Sequence, residues 1–339
     1  MTDAKTRNSM KLTSSRVPVS KGFITVGVST VVLFLVSAVV APTSVSPGAV
    51  QGMIPFAAVL AIVGLGQMLV VQQGGIDLSI PGAVSLAIVI ASHQPNGDDS
   101  KLLPAVILAL GYALAAGLLN GLLVGRLGLN SIIATLGMNA LLFGAVIGIS
   151  GGTPRSTTRL LASIAGGETF GIPNSAYFAA AALIVVSIMV KRTVAGRRFE
   201  AIGANPFTAR ATGLRVTTHQ SLAFVWAQLL YCLAGILLAG ITNQPTAFQG
   251  DAYLLPAVAV VVLGGTSLLG GRGFPVATVV AAIFLSQLDQ FVLSLGVPYA
   301  VRTLVQAAAL AVGVALYTVD WAAMRQRFRR ARPLLTTPV

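Results

Sequence analysis

The feature that most constrains this chain is an alternation: about ten apolar stretches, most close to twenty residues long, separated by short polar segments. They run at roughly 22–41, 50–71, 76–92, 102–125, 130–150, 173–191, 217–241, 252–264, 274–294 and 299–319. About twenty apolar residues in a helix cross the hydrocarbon core of a bilayer, where only self-satisfied backbones survive. The alternation therefore predicts an all-α polytopic membrane protein. Composition agrees, with 55% hydrophobic residues and a mean hydropathy of +0.86. Only 9% of residues are charged, where a soluble domain has about a quarter. Val39-Val40-Ala41 resembles a signal-peptide cleavage site, but the apolar run before it is too long for a signal core, so an uncleaved span is expected.

Charge sets the direction. An even number of spans places both termini on one side. With the termini inside, 18 basic residues fall on inside segments and four, Lys101, Arg155, Arg159 and Arg302, outside. The positive-inside rule then makes both termini cytoplasmic. The net charge of +13 sits beside apolar spans and needs no nucleic acid to explain it. Residues 1–21 read as a cytoplasmic tail, 22–320 as the membrane domain and 321–339 as a basic cytoplasmic tail, positioned to meet anionic headgroups.

Two spans are interrupted. Asp77 lies four residues before Pro81 in QQGGIDLSIPGAVS, and Asp251 five before Pro256 in QGDAYLLPAVA. These spans are five apart in order, so they run in opposite directions. Broken helices at matching places in two halves point to an inverted repeat with a pathway between them. Two readings of Asp77 stand: an intramembrane functional carboxylate, or a cap on a half-helix following Gly74-Gly75. Asp289, in SQLDQFVL, either bonds between helices or nears the outer interface. Asn120, Asn130, Thr135, Asn139, Gln228 and Gln287 read individually as polar contacts between helices. The segment from Gly151 to Pro173 reads as an outer gate or a docking surface.

The longest polar interruption of the second half is Lys191 to Val216, with six basic residues against one acid, Glu200. Asn205 suits an N-cap, Pro206 the first helical position, and Gly213 a left-handed terminator. A helix of about two turns is unstable alone and needs something to dock on.

Absences narrow the activity. The sequence has no GxxxxGK[ST] phosphate loop, nucleophile elbow or HExxH. Cys232 is its only cysteine, and His93 and His219 lie in different segments. A non-enzymatic chain that binds no metal or cofactor is expected. An ion-coupled secondary carrier using Asp77 or Asp289, and a scaffold for an external protein, stand beside a subunit powered by another chain.

Four motifs occur in fixed order: GGIDLSIPGAVS, TLGMNALLFG followed by SGGTP, EAIGANPFTARATGLRV, and AVVVLGGTSLLGGRG. They resemble those of permease subunits of ribose- and xylose-type sugar ATP-binding-cassette (ABC) importers, over about residues 45–320. The resemblance implies about ten helices in the fold of the vitamin-B12-importer permeases, and a bacterial inner-membrane location. It implies a second permease subunit, identical or paralogous, a separate cytoplasmic ATPase that uses the ATP, and a periplasmic sugar-binding protein. Residues 191–216 resemble the family's ATPase-contacting loop, with Glu200, Gly203, Asn205, Pro206, Ala209 and Gly213 as expected coupling residues. Gln73, Asp77, Ser79, Asn139 and Asp251 are the expected translocation residues. Pro81 departs from the pattern, since relatives often carry a small or polar residue there.

Overall fold

The computed structural model describes residues 21–298 and, beyond them, 300, 301, 303–305, 307, 308 and 311. Most of the tenth expected span, the first twenty residues and the basic C-terminal end lie outside the described residues.

The other nine expected spans are helices. Seven are long and apolar enough to cross a membrane among the described residues. They are α1 (Lys21–Val40), α2 (Pro47–Gln72), α4 (Leu102–Asn120), α5 (Ser131–Ser150), α7 (Asn174–Arg192), α10 (Val216–Thr242) and α12 (Pro275–Ser294). A π-helical stretch, Gly121–Arg126, prolongs α4. Two are short: α3 (Ile80–His93), and α11 (Leu254–Leu263) with its 3-10 lead Gln249–Tyr253. The polar connections hold three further helices, α6 (Arg159–Gly166), α8 (Val194–Ala204) and α9 (Pro206–Ala211). A small antiparallel hairpin pairs Glu168–Thr169 with Ile172–Pro173.

Burial ranks the helices. The apolar window of α2 is 83% buried and that of α10 is 72% buried, whereas that of α1 is 17% buried. α2 and α10 are thus the central pair among the long helices, the short α3 is buried along all but its last residue, and the other long helices present an apolar side outward. Small residues let the centre close. A Cβ on Gly66 of α2 would run into Tyr231 and the Ala227 carbonyl of α10. On α4 and its π extension, Gly117, Gly121 and Gly125 recur every four residues against Ser221 to Val225 of α10, and the Ser221 hydroxyl donates to the Gly121 carbonyl at 2.6 Å. This is the small-residue stripe that allows membrane helices to approach backbone to backbone.

The interruptions differ from expectation in cause. Pro81 is the second residue of α3 and Pro256 the third of α11. Pro81 lies in a first turn, where no intrahelical amide bond is lost, whereas Pro256 follows a helical lead. The break before α3 is made upstream of its proline. Residues 73–79 leave the helix altogether, whereas Gln249–Tyr253 winds as 3-10 helix straight into α11. The starts of the two short helices touch: the Gly250 amide donates to the Ser85 hydroxyl at 3.1 Å, and a Cβ on Gly250 would strike the Pro81 carbonyl.

Candidate functional site

The site grows from the end of α2. Gly74 adopts φ +78, and its amide donates to the Val71 carbonyl at 2.8 Å while that of Gly75 donates to Val70 at 3.2 Å. This paired closure needs a left-handed residue, which glycine supplies without a Cβ clash. The chain beyond has no helical partners, and an orphan amide deep in a membrane protein costs several kcal/mol. α5 supplies the acceptors. Ser131, Thr135 and Asn139 lie four residues apart, on one face. They accept from the amides of Ile76 at 3.1 Å, Leu78 at 2.8 Å and Gly82 at 2.8 Å. The Asp77 amide donates to Gln67 Oε1 at 3.3 Å, and that of Ser79 to Asp77 Oδ1 at 2.8 Å.

Asp77 and Ser79 are fully buried. The Asp77 carboxylate accepts from the Ser79 hydroxyl and from Gln228 Nε2 at 3.3 Å. The Ser79 hydroxyl accepts from Gln228 Nε2 at 2.6 Å and Asn120 Nδ2 at 3.2 Å. The Tyr231 hydroxyl donates to Gln67 Oε1 at 3.0 Å. One network thus ties the break to α2, α4, α5 and α10. Asp77 stabilises the turn before α3, whose N-cap position belongs to Ser79.

Below the break lies the polar loop. The Thr193 hydroxyl accepts from the Gly196 amide at 2.9 Å and starts α8. Asn205 Oδ1 accepts from the Thr208 amide at 3.0 Å and starts α9, Pro206 follows it, and Gly213 has φ +82 beyond its end. Ile202, Ala209 and Val216 form a small core of their own with Leu214. The loop is then clasped to the membrane part. Gln73 Nε2 donates to the Phe199 carbonyl at 2.9 Å. Gly203 is buried against the Gln72 carbonyl, where a Cβ would collide with the oxygen. The same oxygen accepts from the Gly271 amide at 3.0 Å. Gly270 and Gly271, at φ +91 and +102, hold the 264–273 connection in that approach. Glu200 receives Arg272 Nε at 3.0 Å and faces Lys191 Nζ at 3.7 Å.

Two of the expected coupling residues are thereby tied into the chain. Glu200 is paired with Arg272 and Lys191. Gly203, by its missing side chain, makes room for the Gln72 carbonyl. Among the remaining expected coupling residues, Ala209 is buried in the loop's small core, while Phe207, which sequence reasoning passed over, is 86% exposed. An aromatic beside the cap of a basic short helix was the available signal. Of the expected translocation residues, Asp77 and Ser79 adjoin each other, and Asn139 serves the same break through Gly82. Gln73 belongs to the clasp, and Asp251 lies apart in the exposed 3-10 turn.

The family model described as "Branched-chain amino acid transport system / permease component" matches residues 49–314. The chain is 30% identical to a ribose import permease of Bacillus subtilis, over 84% of this chain and 89% of the relative. It is 33% identical to the ribose import permease of Escherichia coli, over 75% and 80% of the two chains. It is also 33% identical to an autoinducer 2 import system permease of an Enterobacter species, over 68% and 67%. No solved structure matches the chain.

Proposed function

The chain belongs to the family of permease components of branched-chain amino acid transport systems, and from that membership we propose that it is the membrane-spanning subunit of an ATP-driven importer for a monosaccharide. It works with a second permease subunit, a cytoplasmic ATPase and a periplasmic sugar-binding protein, in the bacterial inner membrane with both termini cytoplasmic. ATP is bound and hydrolysed by the partner. The fold is of the vitamin-B12-importer kind, with ten helices and an inverted repeat whose halves contain α3 and α11.

The observation that carries this reading is the clasp. The polar loop touches the end of α2 at Gln72 and Gln73, where the break before α3 begins, and the connection after α11 at Gly271 and Arg272. A push on α9 therefore reaches the ends of both short helices through buried backbone and short polar contacts. The exposed Phe207 and the exposed Arg197, Arg198 and Arg210 of the same loop give a partner something to hold. ATP-driven closure of the ATPase moves α8 and α9 as a unit and shifts the short helices against α2, α5 and α10. The bonds that join Asp77 to Gln67, Ser79 and Gln228 support a structural part for it in this motion.

The test is reconstitution of the chain with its ATPase and binding protein. Uptake of ribose, xylose or fructose that requires ATP, and ATP hydrolysis stimulated by the sugar-loaded binding protein, support the reading. Uptake driven by an ion gradient in vesicles lacking the ATPase overturns it in favour of a secondary carrier.

A further inference from the structure

A cavity of about 420 Å³ lies between α2, the 3-10 lead into α11, and α12. Its lining includes Gln249, Ser286, Asp289 and Gln290, with the rings of Phe56 and Tyr253. The pattern on α12 is informative. Ser286, Asp289 and Gln290 are spaced i, i+3, i+4, which puts them on one face of a helix. Their neighbour Gln287 points elsewhere, donating to the Ser37 hydroxyl on α1 at 3.2 Å. Ser286 and Gln290 thereby bring polar side chains to the cavity wall within a membrane span, where such residues mark pathways and sites. Across the cavity Gln249 adds a carboxamide from the turn that starts α11. The volume falls within the few hundred Å³ usual for small-molecule sites.

We infer that this cavity, and not the buried network at Asp77, is where the permease receives its solute, a neutral polyhydroxylated molecule of monosaccharide size. The chemistry matches that class. Each carboxamide of Gln249 and Gln290 donates and accepts, and the Ser286 hydroxyl does both. Phe56 and Tyr253 offer apolar ring faces for the C–H side of a sugar. The touching starts of α3 and α11 form part of the neighbouring structure through Gly250 and Ser85, so a shift of α11 against α3 changes the cavity wall that carries Gln249 and Tyr253. This inference rests on the transport reading and adds the place and the recognising residues.

The experiment uses the full importer in proteoliposomes with ribose, xylose and fructose as probes. Uptake by the wild-type complex first identifies a transported sugar; if none accumulates, the transport reading fails and this inference fails with it. Given a transported sugar, Gln290→Leu and Gln249→Leu are each expected to lower uptake kcat/KM about tenfold, the effect of one lost hydrogen bond to the solute. ATPase co-purification at the wild-type level reports that each variant is folded and assembled. In a Cys232→Ala background, Ser286→Cys should react with a small water-soluble thiol reagent, and the transported sugar should slow that reaction about threefold or more, as occupancy of a small site requires. Assembled variants with wild-type kinetics, and a Ser286→Cys reaction indifferent to the sugar, would overturn the cavity assignment while leaving the transport reading intact.

Discussion

The carbonyl oxygen of Gln72 accepts from the amide of Gly271 at 3.0 Å, and the same oxygen fills the space where Gly203 lacks a side chain. One backbone atom at the end of α2 is therefore shared by the polar loop and the connection after α11.

Gly203→Ala is expected to weaken the junction, and Gly203→Leu to weaken it more. Forcing extra carbons into a packed contact costs about 1–3 kcal/mol, and here the obstructing atom is backbone. Thermal unfolding in detergent should shift downward for both variants, and sugar uptake should fall at matched membrane abundance. Wild-type stability and uptake in the leucine variant would show that the loop separates from Gln72 without consequence.

Glu200→Lys is expected to reduce uptake without unfolding the protein. Glu200 is partly exposed, so each of its pairs contributes at most about 1 kcal/mol, but lysine there repels both Arg272 and Lys191. Adding Arg272→Glu restores an opposite charge at the 3.0 Å contact and should recover part of the uptake. A double variant no better than the single would argue that the ion pair is incidental. Thr217→Ala, on the exposed face at the start of α10, should be near neutral in both assays.

Thr135→Val is expected to destabilise by about 1–3 kcal/mol, because it removes the acceptor of the half-buried Leu78 amide without changing side-chain shape. Thr135→Ser keeps the hydroxyl and should retain most of the stability. The comparison is read from unfolding midpoints of the two variants. Equal midpoints would show that the broken stretch does not depend on α5 for its amides.

Orientation is open to direct labelling. Asp98, Arg155 and Arg198 are all exposed. The Leu160 amide donates to Asp99 at 2.9 Å, so the connections near 98 and 155 share an end. In a Cys232→Ala background, cysteines at 98 and 155 should react with an impermeant reagent applied to intact cells, and one at 198 should not. Reaction at 198 with protection at 98 and 155 would reverse the topology.

The amino-acid sequence by itself determined the parts whose physics is local. Apolar length marked the spans, and the Asn205-Pro206 start and the Gly213 end of α9 follow from capping and φ preference within a few residues. It also marked an interruption at Asp77, between Gly74-Gly75 and Pro81. Only the tertiary structure decided what satisfies that irregular backbone. Ser131, Thr135 and Asn139 are unremarkable polar residues on an apolar helix until α5 is laid beside the break. Arg272 and Lys191 are brought to Glu200 by folding. The Gln72 carbonyl that Gly203 makes room for is remote in sequence. The cavity beside Ser286 and Gln290 likewise depends on where α2 and the α11 lead come to lie. Capping and hydropathy act over a few residues, whereas hydrogen-bond acceptors, ion pairs and cavities need partners from distant segments, and packing alone assigns those.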